Sequence, residues 1–139
     1  MRSMKKLKKS KVVLALSGGL DSTVLLHMML NEGYDEIHTL TFDYGQRHKR
    51  EVECALWQID NCKKRYEAVI TNKVIDCSFL RDIATTSSLT NDKIDTPKIR
   101  EIAGDAQPVS YVPFRNMMFL SMCAAYAESV GAEKIVYGV

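Results

Sequence analysis

Val12-Val13-Leu14-Ala15-Leu16 is an unbroken apolar run, followed at once by Ser17-Gly18-Gly19-Leu20-Asp21-Ser22. Five apolar positions in succession imply burial on both faces, so residues 11–16 are predicted to be a central strand of a parallel sheet. Residues 22–31 follow as a helix stopped by Gly33, and residues 37–42 as a second strand broken by Asp43-Tyr44-Gly45. From 49 to about 61 the apolar period becomes helical, with Val52, Leu56 and Ile59 on one stripe and Trp57 beside it. A third strand falls within 68–76 and a short helix within 79–83. Residues 84–113 then lose periodicity and gather Thr, Ser, Asn, Asp and proline; a loop of that length is either functional or disordered. Residues 116–130 are a helix apolar on nearly every side, from Met117, Met118, Phe119, Leu120 and Met122 to Cys123, Ala124 and Ala127. These side chains are expected in the core. Gly131 is its expected C-cap, and 134–139 a fourth strand.

Strands alternating with helices predict an α/β fold, a Rossmann-like parallel sheet wrapped by helices. Right-handed crossovers put the C-terminal ends of all strands on one edge, where ligands bind near the point of reversed strand order. The loop after Leu16, the loop after Phe42 and the segment at Gly138 converge there.

Composition narrows this picture. The 139 residues suffice for one domain, and 46% hydrophobic with 26% charged residues is the balance of a globular protein. Six of the 19 basic residues (Arg2, Lys5, Lys6, Lys8, Lys9 and Lys11) precede the first acid, so residues 1–10 read as a flexible basic tail before a domain at 11–139. The remainder holds more acid than base, which argues against a nucleic-acid partner. The apolar run before Ser17 is too short for a signal-peptide core or a membrane span, so a cytoplasmic protein is expected. Cys54, Cys62, Cys77 and Cys123 lack the close pairing that zinc sites favour and are expected to be reduced thiols, Cys123 in the core. No metal ligands are assigned among the residues.

The loop after the first strand carries the clearest chemistry. Paired glycines let the backbone turn sharply and bring several N–H groups to phosphate oxygens, and the following helix adds unpaired donors and a positive dipole end. Ser17 and Ser22 add hydroxyl donors. A Walker A loop needs a lysine where this chain has Asp21-Ser22, so cleavage between the α and β phosphates of ATP fits the string better. In the second loop Phe42 can lie against an adenine face or simply end a strand, and Arg47 or His48 can face phosphate or a carboxylate, or begin an exposed helix. His48 as a general base is the weaker idea, since it stands among three cations. In Tyr111-Val112-Pro113-Phe114-Arg115-Asn116, Asn116 is suited to cap the next helix. Arg115 is thereby put at a helix N-terminus, where the dipole disfavours a cation, so contact with phosphate or carboxylate is the better explanation.

Ser17 to Thr23, Phe42 to His48 and Tyr111 to Asn116, in this order, resemble the 7-cyano-7-deazaguanine synthase (QueC) family of PP-loop ATP pyrophosphatases. Ser88-Leu89-Thr90 resembles a short string in that family's long loop. The first motif alone is shared by GMP, NAD and asparagine synthetases and by several tRNA thiolases and ligases; the other two make the resemblance specific. It implies a ligase that converts 7-carboxy-7-deazaguanine and ammonia to the 7-cyano product through adenylated intermediates, for queuosine or another deazapurine pathway. ATP and magnesium are the implied cofactors, and the deazaguanine carboxylate and ammonia the small-molecule partners. The resemblance assigns Leu16, Ser17, Gly18, Gly19, Leu20, Asp21, Ser22, Thr23, Phe42 and Gly138 to ATP. It assigns Tyr44, Gln46, His48, Phe114 and Asn116 to substrate, and Asp21, Arg47 and Arg115 to catalysis.

Members of the family continue beyond the fourth strand, to a cysteine cluster holding one structural zinc. No cysteine here matches that cluster, so zinc is not expected of this polypeptide. A fourth strand ending at Val139 also leaves an uncovered sheet edge, which suggests a homo-oligomer or a complementary C-terminal half. A fragment of a longer frame, half of a split enzyme and a shortened nucleotide-binding module stay open, as does a tRNA-modifying adenylating enzyme such as a thiolase.

Overall fold

β1 (Lys11–Ala15) lies inside a sheet of order β3-β2-β1-β4, with β2 at Glu36–Asp43, β3 at Val69–Asp76 and β4 at Lys134–Val136. All three pairings are parallel. The computed structural model describes residues 10–44, 49–85, 112 and 114–138. The basic tail, Gln46, Arg47, His48, the Ser88-Leu89-Thr90 string and nearly all of the stretch 84–113 lie outside the described residues.

Side chains alternate between the two faces of a strand, and β1 uses both. Val12, Leu14 and Leu16 pack with Ile37 and Ile70 against Leu26 and Leu30 of α1 (Leu20–Asn31) and Ile59 of α2 (Lys49–Arg65). Val13 and Ala15, with Leu40, pack against Cys123 and Ala127 of α4 (Arg115–Val130). A third cluster joins Tyr44, Cys77, Phe119 and Leu80 of α3 (Leu80–Ile83) beyond the ends of β2 and β3. The unbroken apolar run of β1 thus reflects two-sided burial, worth about 1.5–3 kcal/mol for each large side chain.

The chain steps outward from β1 to β2 to β3 with α1 and α2 on one face, then returns past β1 to β4 with α4 on the other. Connections of one hand require this change of face when the direction reverses. β1 and β4 are therefore the neighbours at which strand order reverses, and a crevice opens between their C-terminal ends.

Three expectations need correction. α2 runs on to Arg65, because Lys63, Lys64 and Arg65 supply cations to its negative C-terminal end. Its buried stripe is Ala55, Ile59 and Cys62, whereas Leu56 and Trp57 are exposed. The small Ala55 lets α2 approach the sheet, so the larger neighbours turn outward. On α4 only Phe119, Cys123 and Ala127 are buried, and Met117 and Leu120 face away from the sheet. One sheet can cover only one face of a helix. Cys62, Cys77 and Cys123 are buried free thiols in three separate clusters, as the core assignment of Cys123 anticipated. No helix among the described residues is long and apolar enough to cross a membrane.

Leu14→Ala should lower the unfolding free energy by roughly 2–5 kcal/mol. Trp57→Ala, at an exposed position, should change it by no more than about 0.5 kcal/mol. Urea melts of the two variants beside the parent chain measure both.

Candidate functional site

A cleft of about 300 Å³ occupies the crevice, lined by Leu16, Ser17, Gly19, Leu20, Asp21 and Ser22 from the loop and first turn of α1. Phe42 and Tyr44 close it from β2, Tyr137 and Gly138 from β4, Arg115, Asn116 and Phe119 from α4, and Glu51 from α2. Three strand ends and three helices thus contribute, as ligand sites at such reversals require.

The loop is held by its own hydroxyls. Buried Ser22 accepts from Ser17 N at 3.2 Å, lies 3.0 Å from Ser17 Oγ, and donates to the Gly19 carbonyl at 3.2 Å. The amide of Gly19 donates to Ser17 Oγ at 3.3 Å. Gly18 has φ +83°, and a Cβ there would overlap the Glu51 carbonyl and stand 2.9 Å from Ala55 N. The turn therefore packs directly on the backbone of α2. Gly19 is the N-cap of α1 and makes no side-chain capping bond, so first-turn donors stay available to an anion.

Opposite the loop, α4 starts from Phe114, which is in the left-handed region at φ 51° and ψ 17°. Arg115 follows as the first helical residue. Its Nη1 donates to the Tyr44 hydroxyl at 3.3 Å, its guanidinium lies 6.0 Å from the Tyr44 ring centre, and its Nε donates to Asn116 Oδ1 at 3.4 Å. The Tyr137 hydroxyl donates to the same Asn116 oxygen at 3.1 Å. Burial pushes the Tyr44 phenol above its ordinary pKa, against the pull of Arg115; the same opposed effects leave Tyr137 raised. Both phenols therefore remain protonated at neutral pH.

Most of the predicted site residues come together. Leu16, Ser17, Gly19, Leu20, Asp21, Ser22, Phe42, Tyr44, Arg115, Asn116 and Gly138 all line the cleft. Gly18 shapes the loop from behind, and Thr23 uses its hydroxyl on the Gly19 carbonyl at 2.8 Å rather than facing the cleft. Phe114 is 71% exposed and is not a lining residue. Gln46, Arg47 and His48 lie outside the described residues. Asn116 is not the helix cap: α4 begins one residue earlier than expected, and the Asn116 oxygen is taken by Arg115 and Tyr137. Phe42 stacks on Phe119 at 4.0 Å and 8°, so it is a packed strand-end residue that also lines the cleft.

Glu51 and Tyr137 escaped the sequence reading, and Phe119 was read as core without its place at the cleft. Glu51 opens the helix after the second motif, Phe119 is one turn beyond Arg115, and Tyr137 precedes Gly138 at a strand end. Each position was visible, but only the fold turns them toward one cleft. The acids lining it are Asp21 and Glu51, and no group of three or more metal-ligating side chains occurs among the described residues.

The family model for "Queuosine biosynthesis protein QueC" matches residues 11–139. The chain belongs to the QueC family. A curated relative from Clostridium kluyveri, a 7-cyano-7-deazaguanine synthase, is 40% identical over 129 residues, covering 93% of this chain and 53% of the relative. The chain therefore spans about half the length of that protein. Among solved structures, the ammonia-dependent NAD synthetase from Campylobacter jejuni, in complex with a nitrate ion, superposes with a TM-score of 0.58 at 14% identity, over 94% of this chain and 47% of that one. That likeness is one of fold, and it agrees with the Rossmann-like expectation for this QueC-family chain.

Gly18→Ala should destabilise the protein by more than the roughly 1–3 kcal/mol that a strained backbone residue alone costs, because the new methyl group meets backbone of α2. Thermal melts of this variant beside Gly19→Ala, where φ is −78° and the Cβ meets only Ser17 Oγ at 3.4 Å, set a position with both costs against one with neither. An alkaline titration followed by tyrosinate absorbance should find a late-ionising fraction among the six tyrosines. It should shrink in Tyr44→Phe and again in Tyr137→Phe; simultaneous ionisation of all six near the ordinary value of 10.0 contradicts the burial argument.

Proposed function

We propose that this chain provides the ATP site of a ligase that converts 7-carboxy-7-deazaguanine and ammonia to 7-cyano-7-deazaguanine. One observation carries the reading: the hydroxyl-bearing loop at the N-terminus of α1 and Arg115 at the start of α4 line the same cleft. Family membership and the 40% identical synthase support the substrate class.

The substrate carboxylate attacks the α-phosphorus of ATP and pyrophosphate leaves, giving the acyl adenylate. Ammonia then displaces AMP, loses a proton and yields the amide. A second ATP activates the amide oxygen in the same way, with release of pyrophosphate and one nitrogen proton, and loss of AMP with the remaining nitrogen proton leaves the nitrile. In the first step two anions must meet. The loop's backbone donors, held in shape by the Ser17 and Ser22 hydroxyls, suit the departing pyrophosphate, while Arg115 suits charge growing on the α-phosphate. Three of the five guanidinium N–H groups are left for that task after the bonds to Tyr44 and Asn116. The Asp21 and Glu51 carboxylates are hard oxygen donors of the kind magnesium takes beside nucleotide phosphates. When bound, the ion supplies further neutralisation of phosphate charge.

The buried thiols do not suit a thiolase. Burial pushes Cys77 and Cys123 to about 11, which keeps them protonated and poorly nucleophilic near neutral pH.

Ser17→Ala and Ser22→Ala should each weaken ATP binding by roughly tenfold, because the hydroxyl bonds that hold the loop's phosphate donors in place are lost. Calorimetry of the 139-residue chain measures this. Exchange of labelled pyrophosphate into ATP should depend on 7-carboxy-7-deazaguanine. Exchange that depends on tRNA instead overturns the substrate, and ATP binding without any exchange restricts the chain to nucleotide binding.

A further inference from the structure

A guanidinium on the first turn of a helix has reason to leave it. The dipole there repels a cation by about 0.3–1 kcal/mol, and the long side chain gains rotamer freedom by extending into water. Arg115 nevertheless lines the cleft, fixed at two nitrogens. Nε donates to Asn116 Oδ1 at 3.4 Å and Nη1 to the Tyr44 hydroxyl at 3.3 Å.

Neither acceptor holds its place unaided. The Asn116 amide is exposed, and either its oxygen or its nitrogen can face Arg115; only the oxygen accepts a bond. Arg115, a donor only, requires the oxygen, and the Tyr137 hydroxyl donates to that same oxygen at 3.1 Å and so helps hold the amide in place. The Tyr44 ring is set by Phe119, with centres 5.7 Å apart and a tilt of 48°, and Phe119 is braced by its stack on Phe42. The contacts form one arc from the end of β4, through the first turn of α4, to the end of β2: Tyr137 to Asn116, Asn116 to Arg115, Arg115 to Tyr44.

We infer that Tyr137 and Tyr44 are positioning residues for Arg115, Tyr137 acting through the Asn116 oxygen and Tyr44 directly. Tyr44 thus acts here through the guanidinium, and Tyr137 gains a role that neither motif nor spacing gave it. The arc uses two guanidinium N–H groups and leaves three for a ligand. It also makes the grip depend on β4, since Tyr137 immediately follows that strand. The inference rests on the proposed function only for what Arg115 contacts.

The test is a double-mutant cycle on the 139-residue chain with ATP as the probe, together with the Nε–H resonance of Arg115 in nitrogen-15 spectra. Tyr137→Phe removes one half-buried hydroxyl and should leave the melting temperature close to the parent's. It should shift the Arg115 Nε–H signal and speed its exchange with water, and weaken ATP binding by roughly three- to tenfold. In an Arg115→Ala background the same substitution should change ATP affinity by less than about twofold, since two residues acting as a unit are not additive. Tyr44→Phe should give the same dependence on Arg115. Equal losses with and without Arg115, or an unchanged Nε–H signal, overturn the inference. If the parent chain binds no ATP, the proposed function falls while the Nε–H measurement still decides the grip.

Discussion

The loop after β1 can hold its shape only where residue 18 lacks a Cβ. Gly18 combines φ +83° with contact against the Glu51 carbonyl and the Ala55 amide, so the phosphate-type turn and the first turns of α2 are packed backbone to backbone. This one approach fixes several things together. It sets the direction in which α1 leaves the sheet, it brings Glu51 to the cleft wall, and it lets Ser22 turn inward to the Ser17 hydroxyl and the Gly19 carbonyl. Ala55, buried in the cluster against the sheet, takes part by its small size: a larger residue would hold α2 away from the sheet.

How far the chain could be read follows from where its information is local. β1 was legible because two-sided burial leaves a continuous apolar run, and the loop was legible because its glycines and hydroxyls act on their own backbone. Arg115 was legible through a local conflict, a cation where a helix repels one. The outer faces of α2 and α4 were not. Trp57, Met117 and Leu120 are apolar but exposed. α4 is apolar on nearly every side, and in α2 the helical spacing of Val52, Ala55, Ile59 and Cys62 marks the sheet face, but the small Ala55 and Cys62 are easily passed over for the larger Leu56 and Trp57. Asn116 misled for a related reason. An Asn near a helix start suits a cap, yet its oxygen is claimed by Tyr137, which arrives from a strand 21 positions later in the chain.

Local rules break most densely at the start of α4. Phe114 is the one non-glycine residue with positive φ among those described, it is largely exposed, no side chain caps the helix, and a cation follows. Each of these features costs stability, and such departures collect where a site has to be assembled. Burial of Phe119 and Cys123 on the same helix offsets them, so the helix is anchored by its middle while its first turn is left to the cleft.

The two helix ends facing the cleft are organised in opposite ways. α1 meets it with backbone donors and an acid, Asp21, whereas α4 meets it with a guanidinium held by a phenol and an amide. On the proposed function this asymmetry has a physical sense. Backbone donors in a rigid turn suit a group that binds in one place and leaves from it, which is the pyrophosphate. Charge on the α-phosphate grows during attack, and a planar cation whose orientation is set by hydrogen bonds can meet it without reorganising at that moment. Asp21 and Glu51 would by themselves repel the nucleotide, so the loop side is suited to ATP that arrives with its cation, while Arg115 serves the α-phosphate without one.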